Sequence, residues 1–299
     1  PDETSDVPPD ESPDEVDTPE IVEISETLDT VDTDGLGEVE AMCTRWRSDR
    51  NLAQEGTWSG SVEACDPGQM SVDGIESVVR LVNLYRWLVG LPAAWAEPEL
   101  VSAAQACALM MHANGSLSHQ PPADWNCYSD LGASGASRSN IATAPGVAAV
   151  DMYMSDFGNE ETFGHRRWLL SNGLGSIGPG STSSYSCLLV ISGGGTASLP
   201  FVAFPSGLVP AELLNMYWNG LVWTVQSDSY ELSQATASIS DGLEVHPLTV
   251  HPLSGNYGSG SGISLLFDNF VPQVEVAYQV ELSVGAEVLS YPVRFVNCP

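Results

Sequence analysis

The period of the hydrophobic pattern changes near residue 200, so one kind of layer cannot accommodate the whole chain. In GIESVVRLVNLYRWLVGLP, residues Ile75, Val78, Val79, Val82, Tyr85 and Leu88/Val89 recur at steps of three and four. That is the stripe of an amphipathic helix, stopped by Gly90. A second helix begins at Pro98, a good first helical residue, and ends at Gly115. A third is expected over about 145–155 and a fourth over about 162–171, with Gly173 just past its end. Leu188 to Ile191 reads as a buried strand closed by a Ser-Gly-Gly-Gly turn. Beyond about residue 200 come VWTVQS, ATASIS, GISLLF, VAYQVELSV and YPVRFV, short β-branched and aromatic runs separated by Gly, Asn, Asp and Pro. That spacing predicts an antiparallel sandwich of immunoglobulin-like type. The boundary falls near 198–205, which gives a helical region over 72–198 and a β-sandwich over 199–299.

Charge separates the N-terminus from both. Residues 1–40 hold 16 acidic side chains and no basic one. With no aromatic residue to bury and like charges repelling, they are expected to be a disordered acidic linker. Subtracting those 16 from the formal −30 leaves −14 for residues 41–299. An acidic surface of that kind excludes nucleic acid as a partner, because phosphate contacts need basic side chains. All nine basic residues are arginine. No apolar run of ~18 residues is present to make a transmembrane helix. The sequence leaves the oligomeric state open.

Six cysteines, Cys43, Cys65, Cys107, Cys127, Cys187 and Cys298, form no C-x-x-C pair. An even, scattered set suits disulfides in an oxidising compartment. Nearness in sequence suggests Cys43–Cys65 and Cys107–Cys127, and leaves Cys187–Cys298. The first of these would make residues 41–71, with Trp46 and Trp58, a cross-linked flap. An opening at Pro1 rather than Met suits removal of an export signal, and hence a secreted or surface-anchored protein, with a lipid anchor upstream of the acidic linker as one option.

Familiar motifs are scarce. GLGSIG over residues 173–178 has glycines at dinucleotide-binding spacing, but a helix precedes it and a Pro-Gly turn follows, so the match is accidental. Of the five histidines, His246 and His251 sit in EVHPLTVHP and read as loop or edge residues, while His112 reads as a half-buried helix residue. His119 in SLSH and His165 in FGHRRWLL each lie beside small or polar residues at the edge of a helix.

These two histidines belong to an ordered set of blocks: RLVNLYRWLVGL, AAQACALMMHANGSLSH, SNIA, VDMYMSD, GHRRWLL and IGPG. In order and spacing, apart from an insertion before GHRRW, the set resembles the CAP superfamily over about residues 72–195. This superfamily comprises the cysteine-rich secretory, antigen 5 and pathogenesis-related-1 (SCP-like) domains, and GHRRWLL resembles its bacterial branch. The resemblance implies an α+β fold, with a CAP-type α-β-α sandwich and a cleft holding two histidines and two acidic residues. His119 and His165 match the histidines. Ser139, in Arg138-Ser139-Asn140-Ile141, stands where the family has its first glutamate. Asp156 is the best match to the second acid, with Ser155, Glu160 and Glu161 as alternatives if the insertion shifts the register. His119, Ser139, Asn140, Asp156, Glu161, His165 and Arg166 are therefore expected to line the cleft. Trp168 and Leu169 are expected in the core below, and one of Arg166 and Arg167 against a carboxylate.

Two imidazoles beside one carboxylate could hold Zn²⁺ at His119 and His165, or could orient a general base. Serine in place of glutamate removes a charge and a proton acceptor. The resemblance thus implies an extracellular, non-catalytic module that binds a protein, lipid or glycan and needs no cofactor. The alternative is a metal-assisted, peptidase-like hydrolase using His119, His165 and Asp156. A third reading, a structural surface protein, requires a cleft too filled to admit a ligand.

Overall fold

The computed structural model describes residues 36–216, 221–268 and 270–298. Most of the expected acidic linker, residues 1–35, lies outside the described residues. From Gly37 onward the described chain forms one compact unit. Its first element is not a flap but a helix, α1 (Leu36–Asn51). Helices α2 (Val72–Leu88) and α3 (Pro98–Asn114) follow, separated by the short strand β1 (Trp95–Ala96). Ser71 caps α2 by accepting from the Gly74 amide. Gly115 closes α3 in the left-handed conformation at φ 59°. Then come α4 (Asp130–Ala136), β2 (Ser139–Ala142), α5 (Gly146–Ser155), α6 (Gly164–Leu169), β3 (Ser176–Ser181) and β4 (Ser186–Leu189).

The first four strands form a sheet in the order β1-β3-β4-β2. Alternation along it separates two faces. Ile141, Cys187 and Leu189 pack with Ala103, Ala104, Ala108 and Met111 of α3 and Ala136 of α4. Ala142, Leu188 and Val190 face the other way, with Val78, Leu81 and Val82 of α2 and Val150 and Tyr153 of α5. This is an α-β-α sandwich. Small residues set the closeness of one layer: a Cβ at Gly178 or Gly180 of β3 would collide with the α3 backbone at Leu100 or Ala104. Two of the GLGSIG glycines are therefore packing residues, Gly178 against α3 and Gly175 against the backbone of Gly194.

The β-rich region contains β5 (Val202–Phe204), β6 (Gly207–Pro210), β7 (Trp223–Ser227), β8 (Thr236–Ser240), β9 (Val245–Pro252), β10 (Ser261–Leu266), β11 (Ala277–Val284) and β12 (Glu287–Val296). They are hydrogen-bonded in the order β5-β7-β10-β9-β8-β11-β12-β6. Strand β9 turns the corner between two halves. Its residues Val245–Leu248 pair with β8, and Thr249–Pro252 pair with β10. The halves close on a shared core, with Trp223 of β7 at 6.0 Å from Phe295 of β12, ring centre to ring centre. The predicted sandwich is present. His246 and His251 both lie on β9, each in a half that pairs with one neighbour only, His246 with β8 and His251 with β10, so both are edge residues as expected. His246 stacks on Phe270 at 4.5 Å, and His251 is exposed.

The disulfides are Cys43–Cys298, Cys65–Cys127 and Cys107–Cys187. All three expected pairings are corrected, the two suggested by sequence nearness and the one left over. Packing decides instead: Cys107 on α3 and Cys187 on β4 meet within the core of the first sandwich. Cys43 on α1 bridges 255 residues to Cys298. Beside that bridge the indole of Trp46 donates to Glu212 and lies 6.1 Å from Tyr85, which in turn lies 6.1 Å from Phe204. Arg50 pairs with Asp151 at 2.9 Å. Burial raises the Asp151 carboxyl above its ordinary range, opposed by the Arg50 charge and the Tyr85 hydroxyl.

Candidate functional site

His119 follows the end of α3, and its Nδ1 lies 3.0 Å from the carbonyl of Ala136 at the end of α4. A carbonyl only accepts, so Nδ1 carries the proton and Nε2 is the free nitrogen. His165, in the first turn of α6, reaches the same state by another route. Its Nδ1 lies 2.7 Å from Oδ1 of Asp156. Asp156 ends α5 at φ 53°, a left-handed conformation that Asp tolerates better than most residues. That turn brings its carboxylate back under α6. There Oδ2 accepts from the amides of His165 (2.9 Å) and Arg166 (3.2 Å), and Oδ1 from the Asn159 side chain (3.0 Å). The Asp156 carboxylate is fully buried, so all its capacity serves the ring and the start of α6.

Both histidines line one cavity of about 330 Å³, together with Ser139, Asn140, Asn159, Thr162, Trp168 and Tyr257. Ser139 spends its proton on the carbonyl of Gly135 at 2.8 Å, and Asn140 donates to the carbonyl of His165 at 3.1 Å. The cavity is open, unlike the filled cleft that a purely structural role requires.

Three residues expected in the cleft lie elsewhere. Asp156 is buried behind His165 and does not line the cavity. Glu161 faces a neighbouring pocket with Glu160, His251 and Leu266. Arg166 is buried and points away from the cavity into the β-sandwich. It donates to the carbonyls of Met154 (2.6 Å) and Val222 (2.6 Å) and to the Thr224 hydroxyl (3.3 Å). Its guanidinium lies over the rings of Phe163 and Phe204 at 4.7 and 5.2 Å. Arg167 donates to the carbonyls of Ser254, Gly255 and Ser259, and burial pushes its pKa below the usual arginine range. Among the described residues, backbone carbonyls, with the hydroxyls of Thr224 and Ser259, thus receive these arginines. Trp168 is partly buried against the core and also forms a cavity wall, and Leu169 is in the core as expected.

A third arginine holds the far end of α6. Arg86 of α2 donates to the carbonyls of Pro92, Leu169, Ser171 and Leu174 at 2.8 to 3.0 Å. Burial lowers its pKa to about 10, so it stays charged at neutral pH.

Residues 79–190 match the model of the cysteine-rich secretory protein family. This segment is a CAP domain. The match takes in every lining residue of the cavity except Ile191 and Tyr257, and stops before the sandwich. Neither a curated protein nor a solved structure matches the chain.

Sequence reasoning missed Tyr257. It lies in the glycine-rich loop between β9 and β10, outside the CAP domain, and its ring closes one side of the CAP cavity. Gly164 makes room for it, since a Cβ there would stand 2.8 Å from the ring. No pattern in the sequence ties GNYGSG to GHRRW. Asn159, which bridges toward Asp156 from the insertion before α6, was equally hidden.

A zinc ion held by three protein ligands does not fit these residues. The cavity offers two imidazole nitrogens, Ser139 is turned to Gly135, and Asp156 is spent behind His165. Among the described residues no group of three or more His, Cys, Asp or Glu is arranged to hold a metal.

Proposed function

We propose that the chain is an extracellular CAP-domain binding protein whose histidine-lined cavity holds a ligand without turning it over. The observation that carries this reading is the state of its two acidic positions. At one, Ser139 offers a hydroxyl bound to Gly135. At the other, the Asp156 carboxylate has no exposure. The cavity then has neither a free carboxylate to activate water nor a third ligand for zinc. Three disulfides support an oxidising location. Among the described residues no helix is long and apolar enough to cross a membrane.

One observation favours the hydrolase alternative: a carboxylate holding an imidazole in one tautomer is the arrangement of a general base. A screen against a broad peptide library separates the two readings. No turnover by the folded protein is expected. Cleavage that disappears in His165→Ala would overturn the binding reading. Calorimetric zinc titration adds a sharper comparison. The parent is expected to show no saturable one-equivalent site, and Ser139→Glu is expected to gain one that His119→Ala removes.

A further inference from the structure

Trp168 is a wall of two cavities. On one side lies the histidine cavity. On the other lies a space of about 410 Å³ lined by Ser171, Ser192, Asp228, Asn256 and Ser259 among others. Val190 and Ile191 also face both, so the two spaces adjoin along a shared rim. Tyr257 overhangs the first from the sandwich side. Together they make a groove between the CAP domain and the sandwich, longer than either cavity alone.

The chemistry of its walls limits the occupant. No Asp, Glu, Lys or Arg lines the histidine cavity. In the second, Asp228 accepts from the Gly260 amide at 3.1 Å and from the Asn172 side chain at 3.4 Å. A charged ligand therefore finds no counter-charge at the histidines, and a polyanion meets a chain of formal charge −30. An acyl chain would bury imidazoles, amides and hydroxyls without replacing their hydrogen bonds. An extended peptide would need an unpaired strand edge. Along the floor, however, the amides of Val190 and Ile191 both donate to the Arg138 carbonyl, and β2, an edge strand that pairs only with β4, is four residues long and has its Asn140 carbonyl already taken by the Tyr153 hydroxyl. What remains is a neutral ligand rich in hydroxyls, with apolar ring faces to lie against aromatic side chains.

We infer that this groove binds a neutral glycan, with Trp168 and Tyr257 as its stacking walls and His119 and His165 as hydrogen-bond acceptors at one end. The inference rests on reading the cavity as a ligand site and adds the class of ligand. Tyr257 then becomes a specificity-determining residue supplied from outside the CAP domain. Its loop is built to present it: Arg167 ties down Ser254, Gly255 and Ser259 on either side, and the guanidinium lies 5.8 Å from the Tyr257 ring.

The test uses the full chain on arrays of neutral glycans (glucans, mannans, galactans and N-acetylglucosamine oligomers), on unmodified peptide arrays and on phosphatidylcholine vesicles. Hits are measured by calorimetry. Glycan binding is expected, weakened about tenfold or more in Trp168→Ala and in Tyr257→Ala, and unchanged in Leu243→Ala, which lies on the far β8–β9 turn. Tyr257→Ala changes only a half-exposed loop side chain, so it remains informative if Trp168→Ala fails to fold. Glycan binding indifferent to Tyr257→Ala would overturn the inference. Peptide or vesicle binding without glycan binding, lost in the His119→Ala/His165→Ala double variant, would overturn the glycan while leaving the cavity reading intact. No binding to any of the three would overturn both.

Discussion

The CAP domain meets the β-sandwich at two junctions built from opposite materials. At α1 the join is covalent and aromatic: Cys43 reaches Cys298, and Trp46, Tyr85 and Phe204 stand ring against ring. At α6 the join is made by guanidinium groups donating into rings of backbone carbonyls. The first kind of contact limits how far the chain can open. The second fixes orientation, because a planar donor meets each carbonyl in only one geometry. The histidine cavity lies at the second junction. Its walls come from both regions, so their mutual orientation is part of the site.

The largest effect that would break this contrast is loss of the long disulfide. Cys43→Ala/Cys298→Ala is expected to cost about 2–5 kcal/mol in urea unfolding, since the loop it closes spans nearly the whole described chain. If that junction only limits opening, the imidazole resonances of His119 and His165 will stay in place. Their displacement would show that both junctions shape the site. Arg167→Gln comes next, at about 3 kcal/mol, because buried carbonyls lose a charged donor. It is also expected to speed chymotrypsin cleavage after Tyr257, which the disulfide variant is not expected to do. Asp156→Asn removes the carboxylate under α6 and is expected to cost about 1–3 kcal/mol. Nitrogen spectra of His165 should then show the Nδ1-protonated tautomer giving way to a mixture, while His119, held by a carbonyl, stays as it was. The smallest effect is Thr224→Val. It deletes one weak acceptor of Arg166 and is expected to lower stability by about 1 kcal/mol or less in thermal unfolding.

The same contrast explains what the sequence could convey. Helices α2 and α5 were legible because their apolar residues recur locally, whereas α3, buried at every residue from Ala103 to Met111, was legible from its ends, which Pro98 and Gly115 mark outright. The β runs were legible as strands, but not the division of β9 between two neighbours, which depends on partners far along the chain. Helix α1 was missed because its apolar residues form no clear stripe: it is held by Trp46, Met42 and Cys43 at contacts distant in sequence. Disulfide pairing failed for that reason too. At the site, the CAP resemblance located His119, Ser139 and His165 on one cavity. It misplaced Arg166, since the side chain of a helical residue can face either of two layers, and periodicity over six residues cannot choose. Tyr257 and Asn159 belong to loops, where position follows from the elements that clamp them.

One further consequence follows from where the arginines went. The chain has no lysine, and residues 1–40 have no basic residue at all. Arg86, Arg166 and Arg167 are sealed inside. Arg45, Arg47, Arg50, Arg80 and Arg294 stand within helices or strands, where the backbone must open before a protease can grip it. Only the half-buried Arg138 lies in a turn. A trypsin-like enzyme therefore meets a molecule with almost nothing to cut. The side chains that align the two regions are thereby also withheld from trypsin-like cleavage in the folded protein.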